Sequence, residues 1–167
     1  MLRTLASVPL FKDLDENTLQ LLEPLFEPYS CTAGTAIFEQ GQIAHYLYLL
    51  LEGTVEILYK PYDGPPLTIT NLDEGAIFGW SAAIGNAVYT SGAICRADCQ
   101  AVRIGSRDLQ KLYAKEPEAG RIILDLLADS VSSRWDDAQS QIQVLLNTTV
   151  RDKQKMKTRM RKKRKEN

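Results

Sequence analysis

Between Tyr29 and Ile104 the chain is cut by glycines at 34, 41, 53, 64, 75, 79 and 85 into short runs of β-branched and aromatic residues. Such residues suit a pleated surface, and the glycines between them punctuate the chain as turns. The run Tyr46-Leu47-Tyr48-Leu49-Leu50-Leu51, closed by Glu52-Gly53, predicts a buried strand turning tightly into Thr54 to Leu58. Pro61 with Asp63-Gly64-Pro65-Pro66 predicts a hairpin loop that proline keeps from pairing, and Leu67 to Leu72 begins the next strand. Many short strands at this spacing predict a sandwich or jelly roll, so the class is mainly β with flanking helices.

The flanks carry a different period. Residues 1–27 read as helical: Leu14 precedes the capping-rich Asp15-Glu16-Asn17, and Leu19, Leu21, Leu22, Leu25 and Phe26 follow at helical spacing until Pro28. From Ser106 a second helical region predicts a short helix to about Lys115, then a long one starting near Pro117. On the long helix Leu124, Val131, Ala138 and Leu145 fall seven apart, and Ala128, Trp135, Ile142 and Thr149 follow four residues later. That is an a/d seam over about three heptads, the spacing of a two-stranded coiled coil. Packing on its own roll is the competing use of such a stripe. Its length favours a homodimer through the helix at about 117–150.

With 44% apolar residues, 167 residues allow one domain, expected over 1–150, plus an extension. The net charge of −1 hides an asymmetry. Residues 151–167 hold 10 Lys/Arg against Asp152 and Glu166, a net of +8, which leaves 10 Lys/Arg against 19 acids, a net of −9, in the body. With only Met156 and Met160 apolar, this tail cannot make a core. It reads as a solvated or disordered end, or as a contact for nucleic acid or an anionic membrane. No apolar run approaches the roughly 18 residues of a membrane span and no signal peptide opens the chain, so a soluble cytoplasmic protein is expected. Cys31, Cys95 and Cys99 make an odd count without a C-x-x-C pair. Neither a disulfide framework nor a metal site is expected of them, and they read as buried structural residues.

The stretch Phe78 to Asp98, FGWSAAIGNAVYTSGAICRAD, concentrates the binding chemistry. Phe78-Gly79 turns into Trp80-Ser81-Ala82-Ala83-Ile84, which suits one helical turn, and Tyr89-Thr90-Ser91-Gly92 leads into a strand. A glycine before a helix start offers free backbone N–H groups to an anion. The backbone of Gly79, Trp80, Ser81 and Ala82, with Thr90 and Ser91, supplies candidate donors.

Several blocks together resemble the cyclic-nucleotide-binding domain of the catabolite-activator and protein-kinase regulatory-subunit superfamily. They are Pro9-Leu10-Phe11, Gly34 followed by Ile37-Phe38, Glu39 to Leu58, Asp73 to Gly79, and Ala97 to Val102. The resemblance runs from about Leu5 to about Leu146 and implies a double-stranded β-roll with N-terminal helices and a long C-terminal helix. In that family the phosphate-binding cassette reads roughly FGE[LI]AL, a spacer, then R[ST]A. Here the glutamate position is Trp80 and the arginine position is Tyr89. The combination also resembles stand-alone prokaryotic members in which tryptophan follows the glycine. The family's glutamate accepts from the ribose hydroxyl and its arginine pairs with the cyclic phosphate through a planar fork of donors. A phenol and an indole cannot supply that charge, at a cost of about 1.5–3 kcal/mol for a hydrogen bond to a charged group.

The expected function is therefore a non-catalytic small-ligand sensor or regulatory module of cyclic-nucleotide-binding type, with altered or lost cyclic-nucleotide affinity. Its ligand set is Phe78, Gly79, Trp80, Ser81, Ala82, Tyr89, Thr90 and Ser91, facing a cyclic nucleotide or another small anionic or aromatic ligand. The alternative is a ligand-free interaction module whose pocket Trp80 and Tyr89 fill. The family's winged helix-turn-helix has no room in this length, so output is expected through a protein partner. Arg134 reads as solvated. His45 stands alone, and Asp13, Asp15, Glu16, Asp136 and Asp137 look like caps and solvated faces, so no catalytic set is expected.

Overall fold

The computed structural model describes residues 5–129 and 154–164. The chain divides into two compact units, Met1–Val131 and Ser132–Asn167. The described residues of the first form eight antiparallel strands in two four-stranded sheets. One sheet has the order β1 (Phe26–Cys31), β8 (Cys99–Gly105), β3 (Tyr46–Glu52), β6 (Ile77–Phe78). The other has the order β2 (Ala36–Phe38), β7 (Gly92–Cys95), β4 (Val55–Tyr59), β5 (Leu67–Leu72). This is the β-roll, mainly β with flanking helices.

Alternation along the strands sorts the core into two clusters. On β3, Tyr48 and Leu50 point into the roll with Phe38, Val55, Ile57, Phe78, Ala93, Cys95 and Cys99. Leu47 and Leu49 point outward and join Ile77, Val102 and Ile104 beneath the helices. That double burial explains why β3 is a continuous apolar run and not an alternating one.

The N-terminal helical reading is corrected at its end. Helix α1 covers Glu16–Leu22, Glu23–Leu25 form a 3-10 turn, and residue 26 already opens β1. Pro24 stops the helix early, and Pro28 sits within β1 because that strand is an edge, where a missing N–H breaks no ladder. Two further helices follow, α2 (Ser106–Lys115) and α3 (117–129). Ala119, Ile123 and Leu127 of α3 lie buried in the outer cluster with Leu109 and Leu112 of α2. Leu124 and Ala128, the described members of the heptad stripe, are exposed on the other side. The remaining stripe positions and Arg134, Asp136 and Asp137 lie outside the described residues.

A second correction concerns the cysteines. Cys31 and Cys95, 64 residues apart, form a disulfide, so the expectation of three unlinked thiols fails. The spacing gave no sign of it, because the partners meet only once the two sheets face each other. In the second unit, residues 154–164 are helical and exposed along their whole length, Met156 and Met160 included.

Candidate functional site

Gly79 adopts φ 77°, a left-handed conformation, and lets Trp80–Ala82 follow as a single 3-10 turn. A Cβ at position 79 would stand 2.9 Å from the Tyr46 carbonyl oxygen and 3.2 Å from the Tyr48 ring, so glycine is needed for space as well as dihedral. Within the turn, the N–H of Ala82 donates to Gly79 O at 3.2 Å and that of Ala83 to Trp80 O at 2.9 Å. The expected anion donor at Ala82 is thus already committed to the turn itself.

Tyr89 closes the interior. Its N–H donates to Gln42 O at 2.9 Å and its carbonyl accepts from Gly41 at 2.9 Å, which seats it against the loop before β3. The ring is 4% exposed and stacks on Phe38 with centroids 3.8 Å apart. Its hydroxyl accepts from the Tyr46 N–H at 3.0 Å and donates to the Tyr46 carbonyl at 2.6 Å. Burial pushes the phenol's pKa up, against the lowering effect of the Tyr46 backbone bond. Chemically the phenol is a neutral, satisfied crosslink.

The remaining candidates scatter around it. Phe78 is fully buried and stacks on Tyr48 at 5.0 Å, while Ser81 and Ala82 are buried. Trp80 is half-buried and packs against the outer cluster under the helices, not into the inner cluster that holds Tyr89. The two substituted cassette positions therefore serve opposite sides of the sheet. Thr90 is exposed and Ser91 half-buried. A cavity of about 10 Å³ lined by Phe11, Leu47, Leu49, Ile77 and Ile123 among others lies under the helices, with room for about one water.

Sequence reasoning missed two participants. Arg103 on β8 lays its guanidinium 3.9 Å from the Tyr46 ring centroid and 5.0 Å from that of Tyr29, with its Nε donating to Glu27 at 2.7 Å. Burial disfavours its charge, yet Glu27 and Tyr48 outweigh that and hold its pKa above the ordinary value. A lone arginine in a strand has no period or motif to announce it. Tyr113 of α2 donates to Ala83 O at 2.8 Å and so ties the helix to the cassette turn. Helical spacing marks Tyr113 only as a packing residue.

The cyclic nucleotide-binding domain family matches residues 29–116, more than half of the chain, and the chain belongs to that family. It is similar to Rap guanine nucleotide exchange factor 1 of Caenorhabditis elegans, 28% identical over 130 residues that cover 75% of this chain and 12% of that protein. It spans likewise 15% and 13% of two forms of a cGMP-dependent protein kinase of Drosophila melanogaster. Among solved structures, a protein of Geobacter metallireducens provisionally assigned as cyclic nucleotide-binding is 28% identical, with TM-score 0.71, covering 81% of this chain and 99% of that one. The regulatory subunit of a cAMP-independent protein kinase A from Trypanosoma brucei shares the fold at 20% identity and TM-score 0.67, covering 83% of this chain and 49% of that one. Among the described residues no helix is long and apolar enough to cross a membrane.

Proposed function

We propose that this chain is a non-catalytic regulatory module of cyclic-nucleotide-binding type whose interior is occupied by its own Tyr89, so that cyclic AMP and cyclic GMP are not its ligands. The observation that carries this reading is the phenol of Tyr89 bonded to both backbone groups of Tyr46 where the family places a phosphate-binding arginine. A phosphate arriving there would have to break two hydrogen bonds and displace a ring stacked on Phe38. The nearby Arg103 guanidinium is already engaged, over the Tyr46 ring and with the Glu27 carboxylate. The fold alone does not fix the ligand, since the same roll occurs in the regulatory subunit of a cAMP-independent kinase.

Output would run through the helices. Trp80 packs on the outer cluster and Tyr113 holds Ala83, so the cassette turn and α2 move as one. A homodimer through the face of α3 that carries Leu124 and Ala128, and a protein partner for the signal, complete the proposal. The module would act as a soluble cytoplasmic protein, the basic tail available to an anionic surface.

A second reading, a sensor of another small ligand, draws on exposed Thr90 and half-buried Ser91 at the rim of the cassette. It calls for a bound metabolite that copurifies and is seen by mass spectrometry. The deciding experiment is calorimetric titration of the full chain with cyclic AMP and cyclic GMP, alongside the double variant Trp80→Glu/Tyr89→Arg. The expected result is no heat from the natural chain and saturable binding by the variant. Micromolar binding of either nucleotide by the natural chain would overturn the proposal.

A further inference from the structure

The three cysteines, distant in sequence, converge at one end of the roll. Cys31 ends β1, Cys95 ends β7 and Cys99 opens β8, with Cys31 and Cys99 directly opposite in register. Their sulfurs all lie within 4.8 Å of one another. In the structure Cys31 and Cys95 are disulfide-bonded, and Cys99 is a buried free thiol. From this geometry we infer that the reduced protein holds a three-thiolate site for a thiophilic divalent ion of the zinc class, mutually exclusive with the Cys31–Cys95 disulfide.

The chemistry of the donors selects the ion. Thiolates favour soft and borderline cations over magnesium or calcium. A metal–sulfur bond of about 2.3 Å places three sulfurs roughly 4 Å apart around one ion. The cluster already has that span, so only the bonded pair must part. Three strands from two sheets supply the ligands, which fixes their positions through backbone register and not through flexible loops.

The surroundings keep the site open and aimed. Cys99 shares its one S–H between the carbonyls of Ala97, at 3.1 Å, and Thr54, at 3.4 Å, which orients it. Gly53, at φ 101°, leaves room beside it: a Cβ there would come within 2.7 Å of that sulfur. Cys31 is half-buried, so the cluster meets solvent on its side.

The steps balance. A dithiol or phosphine reductant delivers two electrons to the Cys31–Cys95 bond, and the sulfurs each take a proton. The divalent ion then binds all three sulfurs and releases three protons. Re-oxidation by a small-molecule disulfide takes two electrons from the Cys31 and Cys95 thiolates, which join as the oxidant is reduced to two thiols; the ion loses two ligands and leaves, and Cys99 takes back a proton. Metal content would thereby follow the redox state of the compartment.

Cadmium serves as the probe, because its thiolate complexes absorb in the ultraviolet. The full chain is reduced with a phosphine, freed of reductant, and titrated with Cd(II). The expected result is a charge-transfer band that saturates at one equivalent, with all three thiols then protected from a thiol-reactive dye. The oxidised chain should give no band. Cys99→Ser should weaken binding by more than the roughly tenfold that even an outer contact costs. Wild-type thiols left open to the dye at saturation, or undiminished affinity in Cys99→Ser, would overturn the assignment. The thiol count on the natural chain decides the matter even where a variant fails to fold.

Discussion

The phenol of Tyr89 accepts from the N–H of Tyr46 at 3.0 Å and donates to its carbonyl at 2.6 Å, although the residues lie 43 apart in sequence. One neutral side chain thus joins the end of the cassette to the start of β3. The ring of Tyr89 also stacks on Phe38, with centroids 3.8 Å apart.

Tyr89→Phe keeps the stack and deletes both hydrogen bonds. Leaving buried backbone groups without their partner costs about 1–3 kcal/mol. Urea unfolding of the variant should show that loss with an unchanged slope. A loss near zero would mean that water replaces the hydroxyl and that the phenol does not close the roll.

Gly79→Ala and Gly75→Ala make an informative pair. Both glycines have positive φ, 77° and 91°, so both variants carry the left-handed penalty of about 1–2 kcal/mol. Only at position 79 does the new Cβ meet backbone, at 2.9 Å from Tyr46 O, whereas nothing lies within 4 Å at position 75. Gly79→Ala should therefore be the less stable by thermal melting. Equal losses would show that the Tyr46 strand yields to the cassette turn.

Much of this fold was legible because the strands announce themselves. Tyr46 to Leu51 is apolar throughout, and glycines mark its neighbours, so β3, β4 and the proline-closed loop at 61–66 could be read directly. The family blocks then identified the roll. What escaped is what depends on register between distant strands. The Cys31–Cys95 bond and the Arg103–Tyr46 contact join residues whose separation carries no periodic signal. The cassette positions were found, yet their roles were not separable in sequence. Tyr89 faces inward and Trp80 faces the helices because a left-handed glycine and a 3-10 turn intervene. Pro28 misled for a related reason, since only the sheet order makes β1 an edge.

Phenol ionisation supplies an alkaline test. Burial raises the pKa of Tyr48 from 10.0 to about 12 and that of Tyr113 likewise to about 12. A raised folded value means the native state keeps protons that the unfolded chain has released. Stability from these groups is therefore intact below about pH 10 and falls as pH rises toward about 12. Phenolate absorbance should show late-titrating tyrosines, and Tyr113→Phe should flatten the decline. Uniform titration near pH 10 would refute the packing assigned to both rings.

The exposed positions on α3 give a test of assembly. Ile123 and Leu127 are spent on the roll, so Leu124 and Ala128 remain available to a second copy. Light scattering of the full chain should report a dimer, and Leu124→Glu should shift it toward monomer while leaving the fold intact. A monomer at high protein concentration would count against the seam.

Glu56 marks the acid side. It sits on β4, almost fully buried, ion-paired with the Arg96 guanidinium and accepting from the Thr68 hydroxyl at 2.5 Å. The Arg96 bond first, then that of Thr68, hold its carboxyl below the ordinary 4.5, against the opposing effect of burial. A depressed folded value means stability that is present above about pH 4.5 and lost as pH falls through the folded value. Arg96 is half exposed, so solvent screens the pair, and its contribution is about 1 kcal/mol or less. The natural chain should therefore exceed Glu56→Gln in stability at neutral pH, and the advantage should shrink as pH is lowered past about 4.5. Urea unfolding of both proteins at neutral and acid pH reads the difference directly. An advantage that stays constant across that range would show that Glu56 acts through shape and the Thr68 bond, with no contribution from its charge.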